Sequence, residues 1–233
     1  MNKPEFVSNV VENALRHNPV VNATIFSTMR TLKKVNPGDT YLENYLWHFI
    51  KRGNSFVDYY HLLWHLGAQL ELKNIMEIGC RTGISICQLL SAMIDLSEVD
   101  VILFDIFADG FTSPEIVKMN MKALNLEPNT LKFVIGDSAT TLPEWKDSPC
   151  DIEGGIKFDY ILVDGNHEKV AARTDLENVL SLTQPGTIIL FDDIAEDGCN
   201  LNDVWSSFKS DHSGKFIWHE NFDGKGIGVA ICK

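Results

Sequence analysis

No apolar run in the sequence approaches the ~18–20 residues that a membrane-spanning helix requires. The N-terminus, MNKPEFVSNVVENALRHNP, also lacks the apolar segment of a secretory leader. A soluble, cytoplasmic chain is therefore expected. Basic residues are scarce, with 20 Lys and Arg against 32 Asp and Glu and a formal net charge of −12. Nucleic acids and anionic membrane surfaces are both held by clustered Lys and Arg, so no nucleic-acid partner and no membrane partner is expected. The five cysteines (Cys80, Cys87, Cys150, Cys199, Cys232) are odd in number and scattered, without a C-x-x-C pair. That pattern suits neither a disulfide framework nor a zinc ribbon and points to reduced thiols. Internal repeats and low-complexity linkers are absent as well. What remains is 233 residues with 45% hydrophobic content, enough for one α/β domain of ordinary size with room for an appendage.

The first ~70 residues carry helical patterns broken at Asn18–Pro19 and at Asn36-Pro-Gly-Asp39. Glu43–Ile50 and Tyr59–Leu72 read as aromatic-rich amphipathic helices, and nothing in the segment alternates like a strand. From Asn74 the pattern changes. Short apolar runs, Ile75–Ile78, Val101–Phe104, Lys132–Ile135, Tyr160–Val163 and Thr187–Phe191, each end near an acidic or glycine residue. Between them lie helical stretches, Ser85–Asp95, Pro114–Asn125 and Glu168–Leu182. Such alternation specifies a doubly wound, mostly parallel sheet with helices on both faces. Lys215–His219 and Gly226–Cys232, around Asp223-Gly224, read as a C-terminal antiparallel hairpin. The division expected is an N-terminal helical cap or lid, 1–72, and a Rossmann-like domain, 73–233.

Within Asn74–Gly83 a strand runs into glycines and then a helix. Gly79 permits a tight turn at the strand's carboxyl end, and Gly83 lets the helix begin close to a ligand. A dinucleotide fingerprint reads G-x-G-x-x-G, and Arg81 stands where its second glycine belongs. Glu77, inside the strand end, suits a cationic ligand better than a diphosphate. Asp105 ends the second strand, placed to accept both ribose hydroxyl protons. Asp137-Ser138 ends the third, placed to face an adenine amino group. Each acid alone could simply cap the next helix, but three at successive strand ends favour an adenosyl cofactor.

Glu-Ile-Gly-x-Arg-Thr-Gly (Glu77 to Gly83, with Thr82), the strand-end Asp105 and Gly-Asp-Ser (Gly136 to Ser138) resemble the class I S-adenosylmethionine-dependent methyltransferases. The resemblance covers Ile75 to the C-terminus. It implies a seven-stranded sheet whose last strand is antiparallel, and it places Glu77 and the Gly79–Gly83 turn beside the methionine part of the cofactor.

Two later segments bear on the chemistry. Tyr160-Ile-Leu-Val-Asp-Gly-Asn-His167 ends the fourth strand and Ile188-Ile-Leu-Phe-Asp-Asp193 the fifth. One helix links them, so a right-handed crossover sets both strand ends on one edge of the sheet, with neighbouring strands about 4.8 Å apart. Asp164, Asp192 and Asp193 can then converge on one ion. Three crowded carboxylates without a counter-charge repel, and a hard divalent cation relieves this, Mg²⁺ being favoured by all-oxygen ligation. His167, three residues past Asp164, can face the same pocket. An alcohol resembling water has a pKa near ~15.7 and an unperturbed His near ~6.5, a gap worth about 12 kcal/mol. A metal that acidifies the hydroxyl narrows the gap, after which His167 can act as general base. The bland alternative is that Asp192-Asp193 caps a helix beginning near Ala195.

Asp164-x-x-His167 with Asp192-Asp193 resembles the metal-dependent O-methyltransferases, especially those acting on sugar and macrolide hydroxyls. Catechol-type members usually have Lys where this chain has His167 and Asn where it has Asp193, which favours a small sugar or natural-product hydroxyl as acceptor. His61 and His65 stand at i, i+4, but H-x-x-x-H lacks the glutamate of a zincin, and packing is expected for them. Three other readings stay open: an NAD-dependent oxidoreductase on a related fold, a non-catalytic interaction protein retaining the fold, and methylation without a metal. The aromatic N-terminal helices can bury against their own domain or, in a homo-oligomer, against a partner subunit.

Overall fold

A computed structural model of the protein describes residues 2–15, 19–40, 42–43, 46, 59–147 and 155–233. Seven strands form one sheet: β1 (Asn74–Ile78), β2 (Asp100–Asp105), β3 (Thr130–Ile135), β4 (Tyr160–Val163), β5 (Ile188–Asp192), β6 (Phe216–Asn221) and β7 (Ile227–Cys232). Their order is β3-β2-β1-β4-β5-β7-β6. Strands β1 to β5 pair in parallel. Strand β7 inserts antiparallel between β5 and β6, so the terminal hairpin seen in the sequence closes that side of the sheet.

The central strands are near-continuous apolar runs because both of their faces are covered. Alternate residues enter two separate cores. Ile75, Val101, Leu103, Tyr160, Leu162, Ile188 and Leu190 face one core. Met76, Ile102, Phe104, Ile161, Val163, Ile189 and Phe191 face the other. The first core also holds Val7, Val10 and Val11 of α1 (Lys3–Ala14), Ile25, Met29 and Leu32 of α2 (Pro19–Val35) and Leu62, Leu63 and Leu66 of α3 (Tyr60–Gln69). It is completed by α4 (Ile84–Leu90) and α5 (Pro114–Ala123). The described N-terminal helices are thus built into the main core. Lys3 pairs with Asp159 at 3.3 Å and the Ser8 hydroxyl meets the His219 ring at 2.8 Å, tying α1 to the start of the central strand β4 and to the edge strand β6.

The second core takes Leu142 from α6 (Ser138–Asp147), Ala172 and Leu176 from α7 (Lys169–Val179) and Val204, Trp205 and Phe208 from α8 (Asn202–Asp211). Trp205 is fully buried and stacks on Phe191 and Phe208.

Several boundaries differ from those read in the sequence. The helix expected over Ser85–Asp95 stops at Leu90, because 91–99 turns back to begin β2. No helix begins near Ala195. Asp193 adopts a left-handed conformation (φ 62°) and 194–201 forms a loop, so the next helix starts only at Asn202. Capping of that helix therefore does not explain Asp192-Asp193. The helix α6 carries Pro143 in its interior. Most of the expected Glu43–Ile50 helix lies outside the described residues, as does Cys150. Among the described residues no helix is long and apolar enough to cross a membrane.

Candidate active site

The carboxyl ends of β1, β2, β3, β4 and β5 are the only edge of a parallel sheet where several loops can meet one ligand, and all the singled-out acids lie there. Glu77 follows the alternation of β1 onto the first core face, between Leu103 and Leu162. It is 1% exposed. The Ser85 hydroxyl of α4 donates to its Oε1, while Oε2 has no hydrogen bond among the described residues. Burial pushes its carboxyl up to about 8; the Ser85 bond opposes this, and Asp164 and Asp105 add to it. A buried acid with an orphaned oxygen, beside a ligand turn, is complementary to a cationic group.

The turn itself is held by backbone. Gly79 donates to the Phe104 carbonyl at 2.8 Å, and Gly83 to that of Cys80 at 2.6 Å. Gly79 has φ +86°, and a Cβ there would lie 1.8 Å from the Asp164 carbonyl oxygen. Only glycine permits this approach, and it puts the cofactor turn in direct backbone contact with the end of β4. Thr82 offers its carbonyl to the amide of Asn120 at 2.8 Å. Asn120 is itself fully buried and accepts from Asn36, at the end of α2. Arg81 reaches Asp109 at 3.7 Å.

Asp105 receives the Arg81 and Phe107 amides, both at 2.7 Å. Each of its oxygens keeps a second lone pair for a ligand hydroxyl. Asp137 accepts from the Ala139 amide at 3.0 Å and so caps the start of α6, with Ser138 as that helix's first residue. The helix-capping role is thus observed for Asp137.

Asp164, Asp192 and Asp193 are brought together by the parallel β4–β5 pairing, and one carboxylate oxygen from each lies within 4.8 Å of the others. A small pocket opens among Asp164, Gly165, Asn166, His167 and Asp192. His167 joins the cluster: its Nε2 lies 3.1 Å from Asp193 and 3.4 Å from Asp164. Its Nδ1 lies 3.1 Å from the Cys199 thiol. The bond to Asp164 holds the imidazole pKa above its usual value; burial and Lys225 oppose this, and the charges of Asp164 and Asp193 reinforce it. Cys199 is pushed up to about 11 by burial and by Asp193, so its thiol stays protonated and does not act as a thiolate nucleophile beside His167.

The expectation of carboxylates lacking a counter-charge needs correction. The Lys225 ammonium, from the β6–β7 turn, stands 3.1 Å from Asp192 and 3.0 Å from Asp193. Its backbone is pinned, since Ala195 donates to the Lys225 carbonyl at 2.8 Å. A Cβ on Gly226 would lie 2.6 Å from the Ala195 nitrogen. Even so, the donor set fits a hard divalent cation. Three carboxylates converge, and Asp193 is completely buried, with Lys225 on one oxygen and His167 on the other. Oxygen-only ligation of this kind suits Mg²⁺.

Lys225, Asn120 and Tyr59, whose hydroxyl donates to Asp164 at 3.4 Å, carried no signal in the sequence. His61 and His65 fall in no metal-capable cluster among the described residues. His65 instead contacts Gln69 at 3.1 Å and packs edge-on to Trp64.

Comparison with known proteins agrees with this fold. Residues 76–194 match the family model described as a methyltransferase domain. No curated protein matches the chain significantly. Among solved structures, an O-methyltransferase from Bacillus cereus in complex with SAH is similar over 89% of this chain and 91% of its own, at 19% identity and TM-score 0.61. The O-methyltransferase TomG from Streptomyces achromogenes, involved in tomaymycin synthesis and bound to SAM, is similar over 78% and 83%, at 19% identity and TM-score 0.57. An SAH-bound methyltransferase from Podospora anserina is similar over 84% and 88%, at 16% identity and TM-score 0.57.

Proposed function

The chain belongs to the methyltransferase-domain family, and from that premise we propose that it moves the methyl group of S-adenosylmethionine to a hydroxyl of a small acceptor, a sugar or another natural product. The observation that carries this reading is the junction of Gly79 with the Asp164 carbonyl. It sets the cofactor turn directly against the cluster of Asp164, Asp192, Asp193 and His167.

Glu77 faces the cationic methionine end of the cofactor, the Gly79–Gly83 turn with Arg81 and Thr82 lines it, Asp105 takes the ribose hydroxyls, and Asp137 with Ser138 borders the adenine. Asp164, Asp192 and Asp193 would hold a divalent cation, with Mg²⁺ the best match. That cation supplies Lewis-acid polarisation of the acceptor hydroxyl. His167 is the general base. The acceptor oxygen attacks the methyl carbon, the carbon–sulfur bond breaks in line, the neutral thioether leaves and the proton passes to His167. Fixing both reactants at one strand-end junction removes most of the entropic cost of their encounter. Tyr59, on the N-terminal side, reaches Asp164 and so marks where the acceptor's surroundings begin.

The test is calorimetric titration with S-adenosylmethionine and with NAD, followed by methyl-transfer assays over a panel of sugar and polyketide hydroxyls with Mg²⁺ or chelator. Binding of S-adenosylmethionine, and turnover lost in Asp164→Ala and His167→Ala, is expected. Tight NAD binding without S-adenosylmethionine heat points instead to a hydride-transfer enzyme. Turnover indifferent to chelator removes the metal from the scheme.

A further inference from the structure

One contact at the site is not used by the transfer reaction: the thiol of Cys199 against the second nitrogen of His167. Asp193, His167 and Cys199 each offer one ligand atom, and the three atoms lie within 4.8 Å of one another. This donor set differs in kind from the neighbouring carboxylates. It combines sulfur, imidazole nitrogen and one oxygen, the mixture that selects Zn²⁺ and similar thiophilic ions over Mg²⁺.

The loop is built to present it. Asp193 and Asn200 both take left-handed conformations, φ 62° and 53°. The loop closes on itself through Leu201 N–H to the Asp193 carbonyl (3.0 Å) and Asn200 N–H to the Ala195 carbonyl (3.1 Å). A Cβ on Gly198 would lie 2.6 Å from Asp193 Oδ1, so glycine is required for Cys199 to come round onto the acid. Asp193, 0% exposed, contributes a ligand atom to both donor sets. Its Oδ1 faces Lys225 and its Oδ2 faces His167. A tetrahedral Zn²⁺ with usual bond lengths separates its sulfur and nitrogen ligands by ~3.5 Å, against 3.1 Å between Cys199 Sγ and His167 Nδ1.

We propose that Cys199, His167 and Asp193 form a second cation site, specific for a thiophilic divalent ion such as Zn²⁺, whose occupation takes His167 out of service. The ion displaces the thiol proton to solvent and nothing is oxidised or reduced. The inhibitory consequence rests on His167 being the base of the proposed reaction, whereas the site itself does not.

The experiment uses the full chain stripped of metal, kept reduced and saturated with Mg²⁺, and titrates it with Co²⁺. The expected result is a near-ultraviolet thiolate-to-cobalt charge-transfer band that saturates at one equivalent. The band should disappear in Cys199→Ser and in Cys199→Ala, fall in His167→Gln, and bleach on adding one equivalent of Zn²⁺. Where methyl transfer has been established, Zn²⁺ is expected to inhibit the wild type at least tenfold more strongly than Cys199→Ser. No band in the wild type at excess Co²⁺ overturns the proposal, as does a band that survives in both Cys199 variants or resists Zn²⁺. Circular dichroism of each variant confirms that it is folded. A cobalt band that depends on Cys199, in a protein that methylates nothing, would leave this site standing while removing the reading of the reaction.

Discussion

Replacing Glu77 by Gln separates stability from cofactor binding in a measurable way. Glu77 is buried on β1, and burial raises its pKa from 4.5 to about 8. Between those values the folded protein retains a proton that the unfolded chain has lost. Stability from this group is therefore complete below pH 4.5 and declines as the pH rises towards 8. At ~1.4 kcal/mol per pH unit, the native state at pH 7 has given up about 3 kcal/mol. Glutamine has no proton to lose, and its Oε1 still accepts from Ser85. Its extra N–H is left without a partner, which costs about 1–2 kcal/mol. The net expectation at pH 7 is a gain of about 1–2 kcal/mol, or roughly 3–6 °C in Tm for a domain of this size. S-adenosylmethionine affinity should fall at least tenfold, because glutamine cannot release a proton to become the counter-charge of the ligand's cationic end. Thermal melts of ligand-free protein from pH 5 to pH 8, with calorimetry on the same samples, measure both. If the Tm difference between variant and wild type does not widen with pH, or the variant is the less stable at pH 8, the reasoning about Glu77 is wrong.

Lys225→Met leaves Asp192 and Asp193, both buried, without their ammonium. In chelator it should cost about 3 kcal/mol, the low end for a broken buried pair, since the lysine is 26% exposed. Mg²⁺ should restore the loss, and a chelated variant that melts with the wild type would refute the charge argument. His167→Asn tests the raised imidazole pKa. In chelator, the wild type holds its His167 stabilisation fully below pH 6.5 and loses it as pH climbs through the higher folded value. The variant's melts should lack that decline, and an unchanged slope in the wild-type-minus-variant difference counts against it. Gly79→Ala puts a methyl group into the Asp164 carbonyl at a positive φ. A destabilisation of about 3 kcal/mol or more is expected from strain and displaced backbone, measurable by denaturant titration; a loss under ~1 kcal/mol would show that the junction is not tight.

The parallel sheet was readable because β1, β2, β4 and β5, covered on both faces, are written as unbroken apolar runs, and because their terminal acids stand out against them. Helix α6 was not, since Ser138-Ala-Thr-Thr and an internal Pro143 argue locally against helix; packing of Leu142 into the second core overrides that preference. The carboxylates and His167 were legible because short sequence distance and strand pairing bring them together. Lys225 was not: in Asp-Gly-Lys-Gly it looks like any exposed turn lysine, and only the antiparallel insertion of β7 delivers it to β5, 33 residues away. Cys199 was hidden in the same way, because its meeting with His167 depends on the left-handed turn at Asp193. Asn120 lies on the buried side of an ordinary amphipathic helix, where an amide gives no hint that it braces the Thr82 carbonyl.

The contact of Gly79 with Asp164 has a thermodynamic corollary. With no side chain between them, the two turns cannot relax independently, so a ligand that shifts one alters the energy of the other. Linkage then requires reciprocity: whatever factor S-adenosylmethionine imposes on the affinity of a cation at Asp164, the cation imposes on S-adenosylmethionine. In the proposed reaction donor and ion would thereby be joined in one binding polynomial, and the order in which they arrive would change the path to the loaded protein but not its free energy.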